Sequence, residues 1–312
     1  MAYLDGIDIS AWQKGLKIKN MDADFVILKA TEGVGYKDSC VDAWAKDVLA
    51  SGKKLGFYHF ATGSTSGAEE AFYFWKIVQK YNGKAIFVLD WEGKALKKGV
   101  SYAKAFLDNF YKVSGKRCLI YMSQSTTTAY NWKDVAKNYK LWVAGYPNMK
   151  PTGYYHPEQY KNLGAWEKAT IRQYSSTGSI KGFNSRLDIN CFYGTKEDWD
   201  KLAGIKVAPK KEEPKKEEPK KTEPKKEENK KSIDTIAQEV INGKWGSGDE
   251  RVSKLKKAGY DPKAVQERVN KYYSVAIEVI KGKYGNGDER KAKLKKAGYN
   301  PALIQKLVNE SI

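Results

Sequence analysis

Several residue types and patterns are scarce in this chain of 312 residues, and each scarcity excludes a class of protein. The three cysteines, Cys40, Cys118 and Cys191, are odd in number and lie in apolar surroundings, which favours buried thiols over a disulfide framework. The two histidines and the cysteines show no Cys-x-x-Cys or His-x-x-x-His spacing, so no zinc pattern is present. Phosphate-loop and Gly-x-Ser-x-Gly motifs are missing too. We therefore expect no metal and no cofactor.

Long apolar runs are missing as well. No segment approaches the roughly 18 to 20 apolar residues that span a bilayer, so we expect no membrane insertion. The N-terminal stretch MAYLDGIDIS has neither a basic region nor an apolar core, and it therefore does not predict a secretory signal peptide. We expect the chain to be made in the cytoplasm and, if it acts outside, to be released by another component.

The charge is one-sided, at a formal +19. Residues 206–231 contribute eleven Lys against seven Glu, and the remaining excess lies on both sides of this segment. Such a charge favours an anionic partner: nucleic acid, acidic lipid or an anionic cell-wall polymer. Because neither a zinc-finger spacing nor a long basic helix is present, we expect no nucleic-acid partner.

Residues 206–231 also separate two parts of the chain. Within them, the sequence of residues 208–231, APKKEEPKKEEPKKTEPKKEENKK, carries proline at positions 209, 214, 219 and 224 and almost nothing apolar. Proline at this density prevents a continuous helix, and there is little to bury. The segment is therefore predicted to be an extended, semi-rigid linker.

An internal repeat follows the linker. Two similar segments begin at Ile236 and Val275, 39 residues apart. Each predicts a short apolar helix, a glycine-rich turn, a second helix around LKKAG and a third helix after Tyr-Asp-Pro or Tyr-Asn-Pro. Glycine ends helices and Asp/Asn-Pro begins them. We predict two small all-α three-helix repeats, residues 232–272 and 273–312.

The first 205 residues alternate short β-rich runs with helical stretches. Eight strands alternating with helices predict an α/β fold, a small TIM-like parallel β/α barrel that is irregular after Trp142, where little helix is expected. The runs are YLDGIDIS, DFVILKATEG, KLGFYHFA, AIFVLDWEG, CLIYMS, KLWVAGY, TIRQYSSTG and RLDINCFYG.

Four carboxylates fall where such a barrel carries its chemistry, at one end of the strands. In AIFVLDWEG, Asp90 and Glu92 are two residues apart, so both should point into the barrel mouth while Trp91 points away. Asp8 in GIDIS and Asp188 in RLDIN are expected beside them. Further candidates for substrate contacts at the strand ends are Lys29, Glu32, Tyr58, His59, Tyr121, Trp142, Tyr146 and Gln173.

Close carboxylates raise each other's pKa, so one can stay protonated as a general acid while another stays charged. Together with aromatic rings that stack on sugars, this pattern suits glycoside hydrolysis. Simpler interpretations stay open at single positions. Asp8 could cap a helix, Asp188 could pair with Arg186, and His59 could be a hydrogen-bonded structural residue.

The motifs GIDIS, FVILKATEG, GFYHF, FVLDWE, LWVAGY, IRQYS and LDIN, in this order, resemble the family 25 glycoside hydrolases, the Chalaropsis-type lysozymes. The resemblance covers about residues 3–204 and implies an incomplete β/α barrel. It implies cleavage of the β-1,4 bond between N-acetylmuramic acid and N-acetylglucosamine in peptidoglycan. It assigns the general acid/base role to Glu92 and places Asp90, Asp8 and Asp188 around the muramic acid subsite. It also implies a retaining reaction, in which either a carboxylate or the substrate's own N-acetyl group attacks.

The segments GKWGSGDERVSKLKKAGYD and GKYGNGDERKAKLKKAGYN resemble cell-wall-binding repeats of the Cpl-7 endolysin type, which implies binding of a peptidoglycan muropeptide. In each repeat the arginine suits a carboxylate of the ligand. The aspartate would either bind the ligand or cap the second helix, and the aromatic residue would either stack on sugar or fill the core. The candidate residues are Trp245, Asp249, Arg251, Tyr284, Asp288 and Arg290.

A catalytic barrel over 1–205, a linker, two wall-binding repeats and no signal peptide together indicate a bacteriophage endolysin. Such a protein stays in the host cytoplasm until a holin opens the membrane, and then acts on the cell wall. The alternatives are a bacterial autolysin and a wall-binding protein with an inactive barrel, although the intact Asp90–Glu92 pair argues against the latter. A chitinase is disfavoured because IFVLDWE lacks the earlier acids of the Asp-x-x-Asp-x-Asp-x-Glu motif.

Overall fold

A computed structural model describes residues 2–183, 185–205, 231–246 and 248–309. The strands are β1 (Leu4–Ile9), β2 (Phe25–Glu32), β3 (Tyr36–Lys37), β4 (Lys54–Phe60), β5 (Ala85–Asp90), β6 (Leu119–Ser123), β7 (Leu141–Ala144), β8 (Ile171–Gly178) and β9 (Leu187–Phe192). Eight of them form a closed barrel in the order β1-β9-β8-β7-β6-β5-β4-β2, with β1 and β2 paired to close it and the short β3 added beside β2. Each of the eight predicted β-rich runs forms one of the barrel strands.

One barrel strand, β9, runs against the others, in the part after Trp142 where the predicted parallel barrel was expected to be irregular. This strand pairs antiparallel with both β1 and β8. The connection from β8 spans only residues 179–186, which is too short for the crossover of a dozen or more residues that a parallel neighbour requires. As a consequence, the first residues of β9 lie at the barrel end where the parallel strands finish, and Asp188 pairs directly with Asp8.

Helices cover the first half of the barrel more completely than the second, as predicted. The barrel helices are α1 (Val41–Ala50), α2 (Gly67–Val78), α3 (Gly99–Ser114), α4 (Gln124–Ala129), α5 (Lys133–Ala136) and α6 (Lys196–Ala203). Between β7 and β8, where every residue is described, no helix forms. Alternate strand residues face the barrel interior or the helix layer, giving two apolar cores. None of the described helices combines the length and the hydropathy that a membrane-spanning segment needs.

The C-terminal repeats are helical, and one continuous helix runs across the predicted boundary between them. Their helices are α7 (Ile233–Ile241), α8 (Gly248–Lys257), α9 (Pro262–Ile280), α10 (Gly287–Lys296) and α11 (Pro301–Asn309). Helix α9 starts at an Asp261 cap with Pro at its first turn and continues for 19 residues. It serves as the third helix of the first repeat and the first helix of the second, because no Gly or Pro interrupts it after Pro262. The predicted separation at 272/273 therefore falls inside a helix.

Helix α9 also packs against α2 and α3 of the barrel. The rings of Phe72 and Tyr273 lie 4.7 Å apart between centroids. The Asn270 side chain donates a hydrogen bond to Gln79 Oε1 at 3.1 Å, and the Gln266 side chain donates one to the main-chain carbonyl of Val113. The repeats therefore rest on the helical side of the barrel. Residues 206–230, nearly all of the predicted linker, lie outside the described residues.

Candidate active site

A cavity of about 350 Å³ opens at the barrel end where the parallel strands finish. All four predicted carboxylates line it, together with most of the predicted substrate-contact residues. The lining consists of Asp8, Ile9, Ser10, Trp12, Gln13, Lys29, Tyr58, Phe60, Asp90, Glu92, Tyr121, Trp142, Tyr146, Gln173 and Asp188. Residues from all eight barrel strands and from the loops that follow β1, β5 and β7 thus converge on one site.

The Asp90–Glu92 pair owes its geometry to the end of β5. The strand finishes at Asp90, and Glu92 follows in an extended backbone conformation, with φ −150° and ψ −175°. Extended residues two apart share a face, so both carboxyl groups reach the cavity. Trp91 faces the opposite side, where its fully buried ring packs 5.0 Å from that of Trp132. The expected orientation of these three residues is confirmed.

The two carboxyl groups differ in exposure. Asp90 is 7% exposed, and its Oδ1 has no hydrogen-bond partner among the described residues. Burial, followed by the nearby carboxylates of Glu92 and Asp8, raises the pKa of Asp90 well above its usual value. Glu92 is only partly buried. Burial also raises its pKa, against an opposing effect of the Lys29 ammonium group. Both groups are therefore biased toward the protonated form.

Asp8 and Asp188 face each other across the antiparallel β1–β9 pair. Burial raises the pKa of Asp8 to about 6, although hydrogen bonds from Asn190 and Gln173 oppose this. Burial, with the charges of Asp8 and Glu92, raises the pKa of Asp188 to about 8. Of these two acids, Asp8 is therefore the one that ionises first, because two amides donate to its carboxylate.

A hydrogen-bond network fixes Asp8 at the cavity floor. Its Oδ1 accepts from Gln173 Nε2 at 2.8 Å and from Asn190 Nδ2 at 2.7 Å. Gln173 Oε1 in turn accepts from the hydroxyls of Tyr121 at 2.8 Å and Tyr146 at 2.5 Å. This network holds one carboxylate and the two tyrosine side chains in defined positions before any substrate binds.

Asn190 is a site residue that the sequence reasoning missed. It is fully buried and orients both Asp8 and, through a 2.9 Å bond from the indole nitrogen to its Oδ1, Trp142. The signal was present in the motif LDIN, because Asn190 lies two residues after Asp188 and therefore on the same face of β9. The same period-two argument that paired Asp90 with Glu92 would have found it.

Two of the predicted contact residues, Glu32 and His59, do not line the cavity. Lys29 lines the cavity, and its ammonium group lies 2.6 Å from the Glu32 carboxylate. Glu32 itself lines an adjoining groove. His59 is fully buried outside the barrel mouth, so the expectation that it contacts substrate was wrong.

The strand period explains the error at His59. Tyr58 and His59 are consecutive on β4, so they face opposite sides, and only Tyr58 lines the cavity. The imidazole lies 2.8 Å from Glu70 Oε2 through Nε2 and 2.8 Å from Thr31 Oγ1 through Nδ1, and it stacks on Phe106. The position of His59 fits the alternative interpretation, that of a hydrogen-bonded structural residue.

Comparison with known proteins identifies the barrel. The family model of glycosyl hydrolases family 25 matches residues 7–183, more than half of the chain. The chain belongs to this family. It is therefore a glycoside hydrolase of the lysozyme class. The CW_7 repeat model matches residues 234–272 and 274–312 of this family 25 enzyme.

Individual relatives agree with this assignment. Lysozyme M1 of Streptomyces globisporus is 30% identical over 213 residues, which cover 62% of this chain and 68% of the relative. The lysozyme of Streptococcus phage Cp-7 is 31% identical over 256 residues, which cover 78% of this chain and 62% of the relative. The crystal structure of a bacterial lysozyme from Streptomyces coelicolor shares the fold, with a TM-score of 0.57 and 24% identity over 65% of this chain and 98% of that chain.

The arginines of the two CW_7 repeats occupy equivalent places in this family 25 enzyme. Nε of Arg251 and of Arg290 donates to the carbonyl of Gly246 and Gly285, respectively, at 3.1 and 2.9 Å. Their guanidinium groups also donate to Gln266 and Gln305, the equivalent glutamines of α9 and α11, at 3.0 and 3.1 Å. Each arginine thus braces the fold of its own repeat.

The two arginines differ in exposure. Arg251 is 6% exposed, whereas Arg290 is only partly buried. Gln266 in the first repeat contacts the barrel carbonyl of Val113, and Gln305 in the second repeat is exposed. That each arginine binds a ligand carboxylate stays a prediction, and of the two side chains Arg290 is the more accessible.

The remaining repeat candidates are placed as follows. Trp245 is partly buried, donates to Glu239 Oε2 at 3.0 Å and packs edge-on to Tyr260. Tyr284 is also partly buried against the helical core. Asp288 lies exposed in the first turn of α10, where it pairs with Lys291 at 2.9 Å. The helix cap there is Asn286, not Asp288. The side chain of Asp249 lies outside the described residues.

We predict that His59→Ala destabilises the family 25 barrel without disabling its site. The substitution leaves the fully buried Glu70 carboxylate without its imidazole partner, which costs about 3–5 kcal/mol of unfolding free energy. Urea unfolding measures this loss. The activity per folded molecule on soluble glycan fragments should stay within about twofold of wild type, because the side chain is absent from the cavity. A stable variant with lost activity would contradict this placement.

Asp188→Asn should change the pH dependence of stability. The carboxyl pKa is about 8 in the folded chain, against about 3.9 in an unfolded one, so the native state holds the proton more tightly. The contribution of this carboxyl group to wild-type stability should therefore fall as the pH rises from 4 to 8, whereas an amide has no proton to lose. We expect the variant to gain at least ~1 kcal/mol over wild type at pH 8 and nothing near pH 4, since one pKa unit corresponds to about 1.4 kcal/mol.

The control for this measurement is Asp22→Asn, which changes an exposed carboxylate away from the cavity. Its stability difference from wild type should be small at both pH values. Urea unfolding at pH 4, 6 and 8 measures all three proteins. A pH-independent difference for Asp188→Asn would show that this carboxyl group titrates normally.

Proposed function

We propose that this family 25 enzyme is an N-acetylmuramidase that cleaves the β-1,4 bond between N-acetylmuramic acid and N-acetylglucosamine in peptidoglycan. The observation that carries the proposal is the cluster of four carboxyl groups with raised pKa values in one cavity beside stacking aromatic rings. A protonated acid and an ionised acid in one pocket are what glycosidic bond cleavage requires.

Glu92 is the general acid/base in this proposal. It extends two residues beyond β5 and is more exposed than Asp90, so it can reach the oxygen of a bound glycosidic bond. Its raised pKa favours the proton that must pass to the leaving oxygen of N-acetylglucosamine. The resulting Glu92 carboxylate then takes a proton from the water that adds to the anomeric carbon of N-acetylmuramic acid.

The other acids stabilise the positive charge that develops on the sugar ring. Asp8 supplies a standing negative charge, because it is held by two amides and ionises before Asp188. The buried Asp90 lies beside Glu92 and, once it has given up its proton, either attacks the anomeric carbon or orients a substrate N-acetyl group that attacks instead. Both routes retain configuration, and a carboxylate nucleophile should lie about 5 to 5.5 Å from Glu92.

Product analysis tests the reaction. Purified peptidoglycan is digested with the full chain, and the fragments are reduced and analysed by mass spectrometry. We expect every new reducing end to be muramic acid. Reducing ends on glucosamine would make the enzyme a glucosaminidase, and the absence of sugar cleavage with retained wall binding would favour a wall-binding protein with an inactive barrel.

We further propose that the chain acts as a phage endolysin that reaches the wall through holin-dependent release. Its two CW_7 repeats and its similarity to a phage lysozyme over 78% of the chain support this role over that of an autolysin. Bacteria that express the chain alone should keep growing and should lyse soon after a holin is co-expressed. Lysis without a holin, with the enzyme recovered outside intact cells, would favour the exported autolysin.

A further inference from the structure

A cavity of about 590 Å³, the junction cavity, lies between the barrel and the first repeat. The barrel side consists of the C-terminal ends of α2 and α3 and the residues that follow them, and the repeat side consists of α8 and the start of α9. The volume lies within the range of about 300–1,000 Å³ that is usual for ligand pockets. None of its described lining residues belongs to the catalytic cavity, so the two spaces are separate.

Arg251 lies in the wall of the junction cavity and is 6% exposed. Its guanidinium group donates to the carbonyl of Gly246 at 3.1 Å and to Gln266 Oε1 at 3.0 Å, and both acceptors are uncharged. Burial lowers the pKa of Arg251, and no carboxylate in the described part of the chain offsets this effect. A buried charge is costly unless a counter-ion lies beside it. The structure thus places a buried cation without a counter-ion at the edge of an open space.

The other charges around the junction cavity are mainly positive. Lys116 lines it from the barrel side and Lys263 from the repeat side. A further lysine of the lining, Lys80, is already paired with Asp42 at 2.6 Å. Among the described lining residues, Glu267 is the one carboxylate. Cations therefore outnumber anions on both sides of the cavity, and the space between them favours an anion.

The arrangement of these cations suits a phosphate group. A carboxylate can be bound by one edge of a single guanidinium group, whereas a phosphate group presents acceptor oxygens in several directions. Both arginine and lysine bind phosphate, and here Lys116, Arg251 and Lys263 approach one space from two units of the fold. The volume also leaves room for a sugar or polyol joined to the phosphate. The formal charge of +19 favours such an anionic partner.

We propose that the junction cavity binds a phosphate group between Lys116 of the barrel and Arg251 and Lys263 of the repeats. The source is either free phosphate or the phosphodiester of an anionic polyol-phosphate polymer. The bound group supplies the counter-ion that Arg251 lacks among the described residues. Because both units contribute to the site, binding also stabilises the packing of the repeats on the barrel. The proposal does not depend on the muramidase reaction, since the site shares no described residue with the catalytic cavity.

Calorimetric titration of the full chain tests the proposal, with inorganic phosphate and a glycerol phosphate oligomer as probes and chloride keeping the ionic strength constant. We expect saturable binding that weakens about threefold in Lys116→Gln and in Lys263→Gln and about tenfold in the double variant. Glu267→Gln, which removes a repelling charge, should bind about twofold more tightly. Lys46→Gln changes an exposed lysine outside the junction cavity and should bind as wild type.

The lysine variants carry the test because Arg251 also braces the first repeat. Phosphate should raise the thermal unfolding temperature of wild type more than that of the Lys116/Lys263 double variant. Tighter binding of the oligomer than of inorganic phosphate, by tenfold or more, would identify the polymer as the source, and similar affinities would identify free phosphate. The absence of saturable binding, an equal loss in Lys46→Gln, or tighter binding of acetate than of phosphate would overturn the site.

Discussion

Replacing Glu92 by glutamine should lower kcat/KM on purified peptidoglycan about 10³-fold while leaving wall binding intact. Glutamine keeps the shape of the side chain but can neither donate the proton to the leaving oxygen nor take one from water, and general acid–base catalysis contributes about 10²–10⁴-fold. The four carboxyl groups cluster at one cavity, so removing one charge should reduce the repulsion between them and should not destabilise the fold. Reducing-end release measures the rate, and thermal unfolding verifies the fold.

The choice of substrate separates proton donation from a structural effect. An aryl glycoside with a good leaving group needs little protonation, so bond cleavage in Glu92→Gln should suffer less on it than on peptidoglycan. Asp90→Asn should lose activity on both substrates, because a group that stabilises the sugar cation is needed whatever the leaving group. Glu167→Gln, an exposed carboxylate far from the cavity, serves as the matched control. Undiminished peptidoglycan cleavage by Glu92→Gln would assign the acid/base role to another residue.

The convergence of Asp8, Asp90 and Glu92 could be predicted from sequence because it follows from the common direction of parallel strands and the two-residue period of an extended chain. Parallel strands finish at one barrel end, and extended residues two apart share a face, so Asp8, Asp90 and Glu92 had to meet. Asp188 reached the same place for a different reason. It lies near the start of its strand, and only the antiparallel direction of β9 brings it to the mouth.

Other features depend on information that local patterns do not carry. Helix α9 is continuous because a helix ends only at a breaker or a cap, and none interrupts it. The repeat period shows where the sequence recurs, and it does not show where a helix ends. The burial of Arg251 depends on how α9 meets α2 and α3, which no motif within the repeat encodes. His59 was misplaced although its neighbour Tyr58 was placed well, because both were chosen by chemistry and only one could face inward.

Removing the repeats should separate activity on cells from activity on small substrates. Without residues 232–312, we expect lysis of whole cells at low enzyme concentration to fall by about 10–100-fold, while cleavage of soluble glycan fragments changes less than twofold. The repeats add no catalytic group. They hold the barrel near an insoluble substrate, and linked binding sites raise the effective concentration by factors of this order or more. Turbidity of a susceptible culture and reducing-end release from fragments measure the two activities.

The concentration dependence provides the sharpest test of this tether. The deficit on cells should disappear as the enzyme concentration rises, because free enzyme then reaches the concentration that the tether supplied. Truncation also uncovers Phe72, which Tyr273 of α9 covers in the full chain, so a second truncated protein carrying Phe72→Gln guards against losses caused by aggregation. Equal losses on cells and on fragments in both truncated proteins would mean that the repeats support the fold or the site of the barrel. A deficit on cells that persists at saturating enzyme would mean that they do more than concentrate the enzyme at the wall.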